Sequence, residues 1–219
     1  MNRRDFSARL IGLSASASPL LTAPLALDAR AQGATPVEGK QYMLVNPPVA
    51  QTVQGKIEVL EFFSYACPHC NAFEPTVEAW AKRVPADVAF LRVPVPFLMN
   101  SENFMRTYYA LDTMGLVEKM QPKVFAAVHI EHQYLDKPAD IVALMTKNGV
   151  DGNKFLDAFN SFSVATSVSR ARKAATAYKL EGVPTLEVQG RYTTSPGLAG
   201  SASEAFAVVD YLIQRARKG

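Results

Sequence analysis

The hydrophobic pattern of this chain changes period at Cys67, and that change constrains the fold around its only two cysteines. Upstream, Ile57-Glu58-Val59-Leu60-Glu61-Phe62-Phe63 is the short β-branched and aromatic run of a buried strand. Downstream, Cys70, Phe73, Val77, Trp80 and Val84 recur at three- and four-residue spacing, which is one apolar face of a helix. A strand therefore hands over to a helix at Cys67-Pro68-His69-Cys70. Pro68 suits a first helical turn, where its missing N–H would bond nothing. Pro75 falls inside the helix and should kink it. Glu58 is expected to reach solvent. Glu61, in the same run, is costly there unless paired or neutral.

Val88 to Val95 forms a second buried strand. Four or five amphipathic helices fill Met99 to Gly182, with Gly115, Gly149 and Gly182 as stops, Pro138 in a first turn and Asp151 as an N-cap. The last of them carries Val164, Val168, Ala171, Ala175 and Tyr178 on one face. A strand returns at Thr185 to Val188, a Gln189-Gly190 turn leads to another, and Val208, Val209, Leu212 and Ile213 stripe a final helix. The result is an α/β core, residues 32–98 and 180–219, interrupted by an all-helical insertion at 99–179.

Residues 1–31 look like an export leader. Arg3 and Arg4 precede a weakly apolar stretch from Leu10 to Leu27, and Ala29-Arg30-Ala31 offers a small-x-small cleavage site after Ala31. Pro19, Pro24 and several serines make the stretch too polar for a membrane-spanning helix. Arg3-Arg4-Asp5-Phe6 fits either a twin-arginine or an ordinary secretory signal. The leader holds four of the arginines and two of the aspartates, so the formal charge falls from +3 for the whole chain to +1 without it. No basic run supplies the footprint of a nucleic-acid-binding surface. Two cysteines also exclude a scaffold stapled by several disulfides.

Cys-x-x-Cys at a helix N-terminus is suited to thiol-disulfide exchange. One thiolate attacks, and a second thiol one turn away expels the partner. Free backbone N–H groups and the positive end of the helix stabilise a thiolate at Cys67, and His69 adds to this if it is protonated or donates an N–H. Lowering the Cys67 pKa stabilises the dithiol and makes the disulfide oxidising. Glu61, six residues upstream, could relay the proton Cys70 must lose, or could sit at a strand edge. The competing reading is half a zinc site completed by His69, His129 and His132. The 58 residues between Cys70 and His129 are far from compact zinc-finger spacing. A structural disulfide over so short a loop would add little stability.

The stretch Glu61-Phe62-Phe63-Ser64-Tyr65-Ala66-Cys67-Pro68-His69-Cys70, with Phe73 and Glu74 following, and Gly182-Val183-Pro184-Thr185 resemble the DsbA-type thiol:disulfide interchange proteins of the bacterial periplasm. These belong to the thioredoxin superfamily, and the likeness runs from about Gln41 to the C-terminus. The resemblance implies a thioredoxin-like fold with an inserted helical domain, no cofactor and no metal. It makes Cys67 the attacking sulfur, Cys70 the resolving one and Glu61 a buried acid near Cys70. Val183-Pro184 becomes a cis-proline loop whose Val183 backbone pairs with extended substrate. Ala66 stands where an aromatic also occurs in that family.

The implied activity is that of a monomeric periplasmic dithiol oxidant of newly exported, unfolded proteins, re-oxidised by a DsbB-like quinone-linked membrane protein. The alternatives are a disulfide isomerase or reductase, and a holdase that binds unfolded chains through the helical block and Phe97-Leu98-Met99. Only about 25 residues separate the leader from the first core strand, against the N-terminal dimerisation domain carried by isomerases of the superfamily.

Overall fold

A computed structural model describes residues 35–218. The expected leader and its cleavage after Ala31 lie outside those residues. Five strands form one mixed sheet: β1 (Met43–Leu44), β2 (Ile57–Phe63), β3 (Val88–Pro94), β4 (Thr185–Val188) and β5 (Tyr192–Thr194), in the order β1-β5-β4-β2-β3. β2 runs parallel to β3 and antiparallel to β4. The two-residue β1, which pairs with β5, was not anticipated from the Pro-rich lead-in.

Having a neighbour on each side, β2 is buried throughout, and this overturns the outward placement of Glu58. Glu58 is 0% exposed, and its Oε2 accepts hydrogen bonds from the Thr52 hydroxyl, the Thr52 N–H and the Val53 N–H. The loop before the strand folds back to bond one oxygen of a carboxyl that has no solvent edge to reach, while Oε1 stays without a partner.

Helix α1 (Pro68–Ala81) crosses from β2 to β3 and runs continuously through Pro75. It shares a core with the C-terminal α8 (Ala202–Ala216) over the sheet face of Val59, Leu186 and Val188. The Phe73, Phe206 and Trp80 rings stack successively at 5.2 and 4.8 Å, joining the two helices. A short α7 (Pro196–Ala199), also not anticipated, precedes α8.

Five helices separate β3 from β4: α2 (Ser101–Thr113), α3 (Val117–His129), α4 (Pro138–Lys147), α5 (Gly152–Phe159) and α6 (Phe162–Ala177). Gly115 and Gly149 follow α2 and α4 with φ of 67° and 76°. Pro138 opens α4, and the Asp151 carboxylate caps α5 by accepting from the Asn153 and Lys154 N–H groups. Gly182 does not stop α6. The helix closes at Tyr178, with Lys179 in the left-handed region (φ 50°), so Gly182 lies in the link to β4. Between β4 and β5, Gln189 and Gly190 both have positive φ, as a two-residue hairpin turn requires. A Cβ at Gly190 would run into the Val49 carbonyl, so glycine is needed there for space as well.

The helical block packs against the cysteine end of the sheet. Phe63, Tyr65, Cys67 and Cys70 share one apolar core with Phe104, Leu111, Phe125 and Phe155.

Candidate active site

Cys67 is the N-cap of α1, in extended conformation (φ −89°, ψ 117°), with Pro68 in the first turn. Both cysteines are free thiols. Cys67 is 5% exposed, Cys70 is fully buried and His69 is exposed. The Cys67 thiol is lowered to about 6. The largest cause is the hydrogen bond its sulfur receives from Cys70, opposed by burial and followed by the backbone N–H groups of Cys70 and His69. The His69 charge contributes least of these, so the neighbouring thiol, more than the histidine, favours the Cys67 anion. The same interaction, with burial and the nearby Cys67 and Glu61 charges, holds the Cys70 proton far above the usual thiol range. One sulfur is thus prepared to ionise at neutral pH and the other to keep its proton.

The Val183–Pro184 bond is cis, and this loop comes to the cysteines. The Cys67 Sγ donates to the Val183 carbonyl at 3.4 Å. Val183, Pro184 and His69 also line a groove of about 1060 Å³ that continues past Tyr178 to Leu44 and Leu198.

Glu61 is 1% exposed and is not at an edge. Its Oε2 accepts from Arg92 Nε at 3.0 Å, while Arg92 Nη2 donates to Glu74 Oε1 at 2.7 Å. Burial raises Glu61 against the opposing pull of Arg92. Glu74 is pushed up to about 8, chiefly by burial and then by Glu61. One guanidinium thus lies between two buried carboxyls, and Glu74 holds a proton at neutral pH. Arg92 and the role of Glu74 were missed by sequence reasoning. The signal available for Glu74 was its place four residues after Cys70 on the buried face of α1. Arg92 needed the register, since it pairs with Glu61 across the parallel β2–β3 ladder.

One of the histidines weighed for zinc, His129, has other work. His129 Nε2 lies 2.8 Å from the Tyr65 carbonyl, which can only accept, so that nitrogen carries its hydrogen. Tyr65 in turn donates its hydroxyl to Gln121 Oε1 at 2.5 Å. Among the described residues, no group of three or more His, Cys, Asp or Glu side chains is placed to hold a metal ion.

A family model described as the DSBA-like thioredoxin domain matches residues 58–208. The thiol:disulfide interchange protein DsbA of Bordetella parapertussis is 43% identical over 211 residues, covering 96% of this chain and 97% of that protein. Its counterpart from Pseudomonas aeruginosa is 40% identical over 204 residues, covering 90% and 96%. The crystal structure of Pseudomonas aeruginosa DsbA superposes with a TM-score of 0.80 at 40% identity, covering 83% of this chain and 95% of that one. That of the Xylella fastidiosa oxidoreductase DsbA does so with 0.78 at 30% identity, covering 84% and 100%.

Proposed function

The chain belongs to the DSBA-like thioredoxin family and is a thiol:disulfide oxidoreductase, and from that premise we propose that it passes a Cys67–Cys70 disulfide to unfolded, cysteine-containing exported proteins in the periplasm. A substrate thiolate attacks Cys67 Sγ. The bond to Cys70 breaks, and the Cys70 sulfur leaves with the electron pair and takes up a proton. A second substrate thiolate then attacks the substrate sulfur of the mixed disulfide and expels Cys67 as a thiolate. The substrate dithiol loses two electrons, and the Cys67/Cys70 pair gains them.

The carrying observation is the Cys67 thiol lowered to about 6 at the start of α1, beside a Cys70 that keeps its proton. A low leaving-group pKa speeds the second step and stabilises the dithiol product. Glu61 would exchange the Cys70 proton, with Arg92 and Glu74 holding it in place. Pro68 sets the helical turn, His69 borders the groove, and Val183 and Pro184 present backbone to an extended substrate. The same reading assigns residues 32–98 and 180–219 to a redox domain and 99–179 to an insertion covering the cysteines. It also takes the chain to act as a monomer, re-oxidised by a DsbB-like quinone-linked membrane protein. Equilibrating the Cys67–Cys70 couple with glutathione tests the direction of transfer. The reading expects the protein to be reduced by glutathione, and a disulfide that survives excess reduced glutathione would overturn it.

A further inference from the structure

A second depression, of about 280 Å³, borders the residues on either side of Cys67 in the chain, and nothing in the exchange chemistry described above uses it. Ala66 and Pro68, the two residues flanking the reacting cysteine, line it together with Phe104, Val128, Met99 and Tyr134. We propose that this depression is a subsite for one aromatic side chain of the substrate, close in sequence to the substrate cysteine. The proposal rests on the oxidant reading and adds a side-chain preference to it.

Size limits the guest first. The space is below the usual range of cavities that enclose free small molecules, and it suits a single large side chain. Ala66 is half-buried and gives only a methyl group to the wall of this space.

The lining sets the chemistry. Phe104 is buried and held edge-on to Tyr65 at 5.8 Å, so its ring is fixed. Met99 offers a flexible thioether, which packs well against rings. Met99 and Tyr134 are 64% and 76% exposed, large apolar groups left in water beside a reactive sulfur. An aromatic guest would cover both while meeting ring edges and sulfur. His129, His132 and Gln133 complete the lining as its polar part, and no acid or lysine joins them, so the apolar side chains carry the contact with a ring.

The outer wall is built in advance. His132 and Leu135 adopt left-handed backbone conformations (φ 54° and 49°), which non-glycine residues hold only where the surroundings impose them. Leu135 is buried as an anchor. Asn100 Nδ2 donates to the Tyr134 carbonyl at 2.8 Å, Asn103 Nδ2 to the Asp136 carbonyl at 2.7 Å, and the Gln133 N–H to the Ala127 carbonyl at 2.9 Å. These bonds to α2, its cap and α3 therefore fix the backbone at Tyr134 before any substrate arrives.

Such a subsite selects by folding state. Backbone pairing at Val183 reads little side-chain information, whereas an aromatic next to a cysteine is available in an unfolded chain and buried in most folded ones. The pocket would bias transfer toward cysteines whose surroundings have yet to fold.

The test uses the oxidised full-length mature protein and short dithiol peptides carrying either phenylalanine or glycine one or two positions from the first cysteine, on each side. The expected result is kcat/KM about tenfold higher for the best phenylalanine peptide than for its glycine counterpart. Ala66→Phe, which fills the space, should bring that ratio close to one. Met99→Ser, at an exposed rim position that does not endanger folding, should lower it several-fold. A ratio near one in the unaltered protein overturns the subsite, as does a ratio unchanged in both variants. If neither peptide is oxidised, the oxidant reading itself fails, so the two failures are distinguishable.

Discussion

The Cys67 sulfur meets the carbonyl oxygen of Val183, 116 residues later in the chain, and makes that contact as a thiol. A carbonyl can only accept, so it favours the protonated sulfur, while Cys70 and the N–H groups at the start of α1 favour the anion. The thiolate therefore forms in competition between a loop that ends beside β4 and a helix that starts after β2. Whichever partner is altered should move the titration in a predictable direction.

Cys70 supplies the largest downward influence on Cys67. Thiolate absorbance should titrate with a midpoint near 6 in the reduced protein. Cys70→Ala removes the donor and should raise the midpoint by about one unit, whereas Cys70→Ser keeps a hydroxyl donor and should hold it near or below the original value. An unchanged midpoint in Cys70→Ala would show that the helix end alone sets the value.

Arg92 is the cation bonded to both Glu61 and Glu74, and its side chain is only 10% exposed. Arg92→Met should destabilise the fold by about 3–5 kcal/mol, because it leaves the buried Glu61 carboxylate without its cation and the Glu74 carboxyl without its donor. Arg92→Lys keeps the charge and should cost less, although a single ammonium cannot match the forked geometry. Denaturant unfolding of the oxidised variants measures both. A loss below about 1 kcal/mol in Arg92→Met would mean that Glu61, like Glu74, was already neutral without it.

Much of this arrangement was legible because it follows local periodicity. The bounds of β2 and β4, the start of α1, the Asp151 cap and the buried face of α6 each depend on residues near one another in sequence. What escaped depends on pairing between distant segments. Glu58 looked like a solvent-facing end residue, but its environment is set by β3, β4 and the returning Thr52–Val53 loop. Arg92 carries no local signal within its strand, and only the parallel register places it opposite Glu61. β1 is two residues long, too short for any period to register. Lys179 displaced Gly182 as the end of α6 because a lysine accepted the left-handed conformation that composition assigns to glycine.

The exchange chemistry predicts different covalent products from the two cysteines. Cys70→Ser, treated with oxidised substrate peptides, should accumulate a mixed disulfide at Cys67 that mass spectrometry detects, because no resolving thiol remains. Cys67→Ser should accumulate far less, since Cys70 is buried and keeps its proton. The variant with both cysteines replaced by serine should lose all function in cells. Retained function there would favour a holdase that binds through its apolar surface without turnover.

Two buried acids on different parts of the sheet should tilt stability the same way with pH. Glu74 and Glu187 are both raised from an ordinary 4.5 to about 8, first by burial. Glu187 faces Glu58 on β2 and Tyr178 at the end of α6, and it accepts from the Gly190 N–H. In each case the folded state keeps a proton that the unfolded chain releases above about 4.5. The stabilisation from that proton is complete below 4.5 and is lost as pH rises toward 8, at about 1.4 kcal/mol per pH unit for each acid. Glu74→Gln and Glu187→Gln carry no proton to lose, so each should remove about that much slope between pH 5.5 and 7.5, and the double variant should remove both. The measurement belongs in the oxidised protein, where the Cys67 thiol cannot titrate and add a slope of opposite sign. A wild-type stability that stays flat or rises across this window, with no difference from the glutamine variants, would show that neither acid holds its proton in the fold.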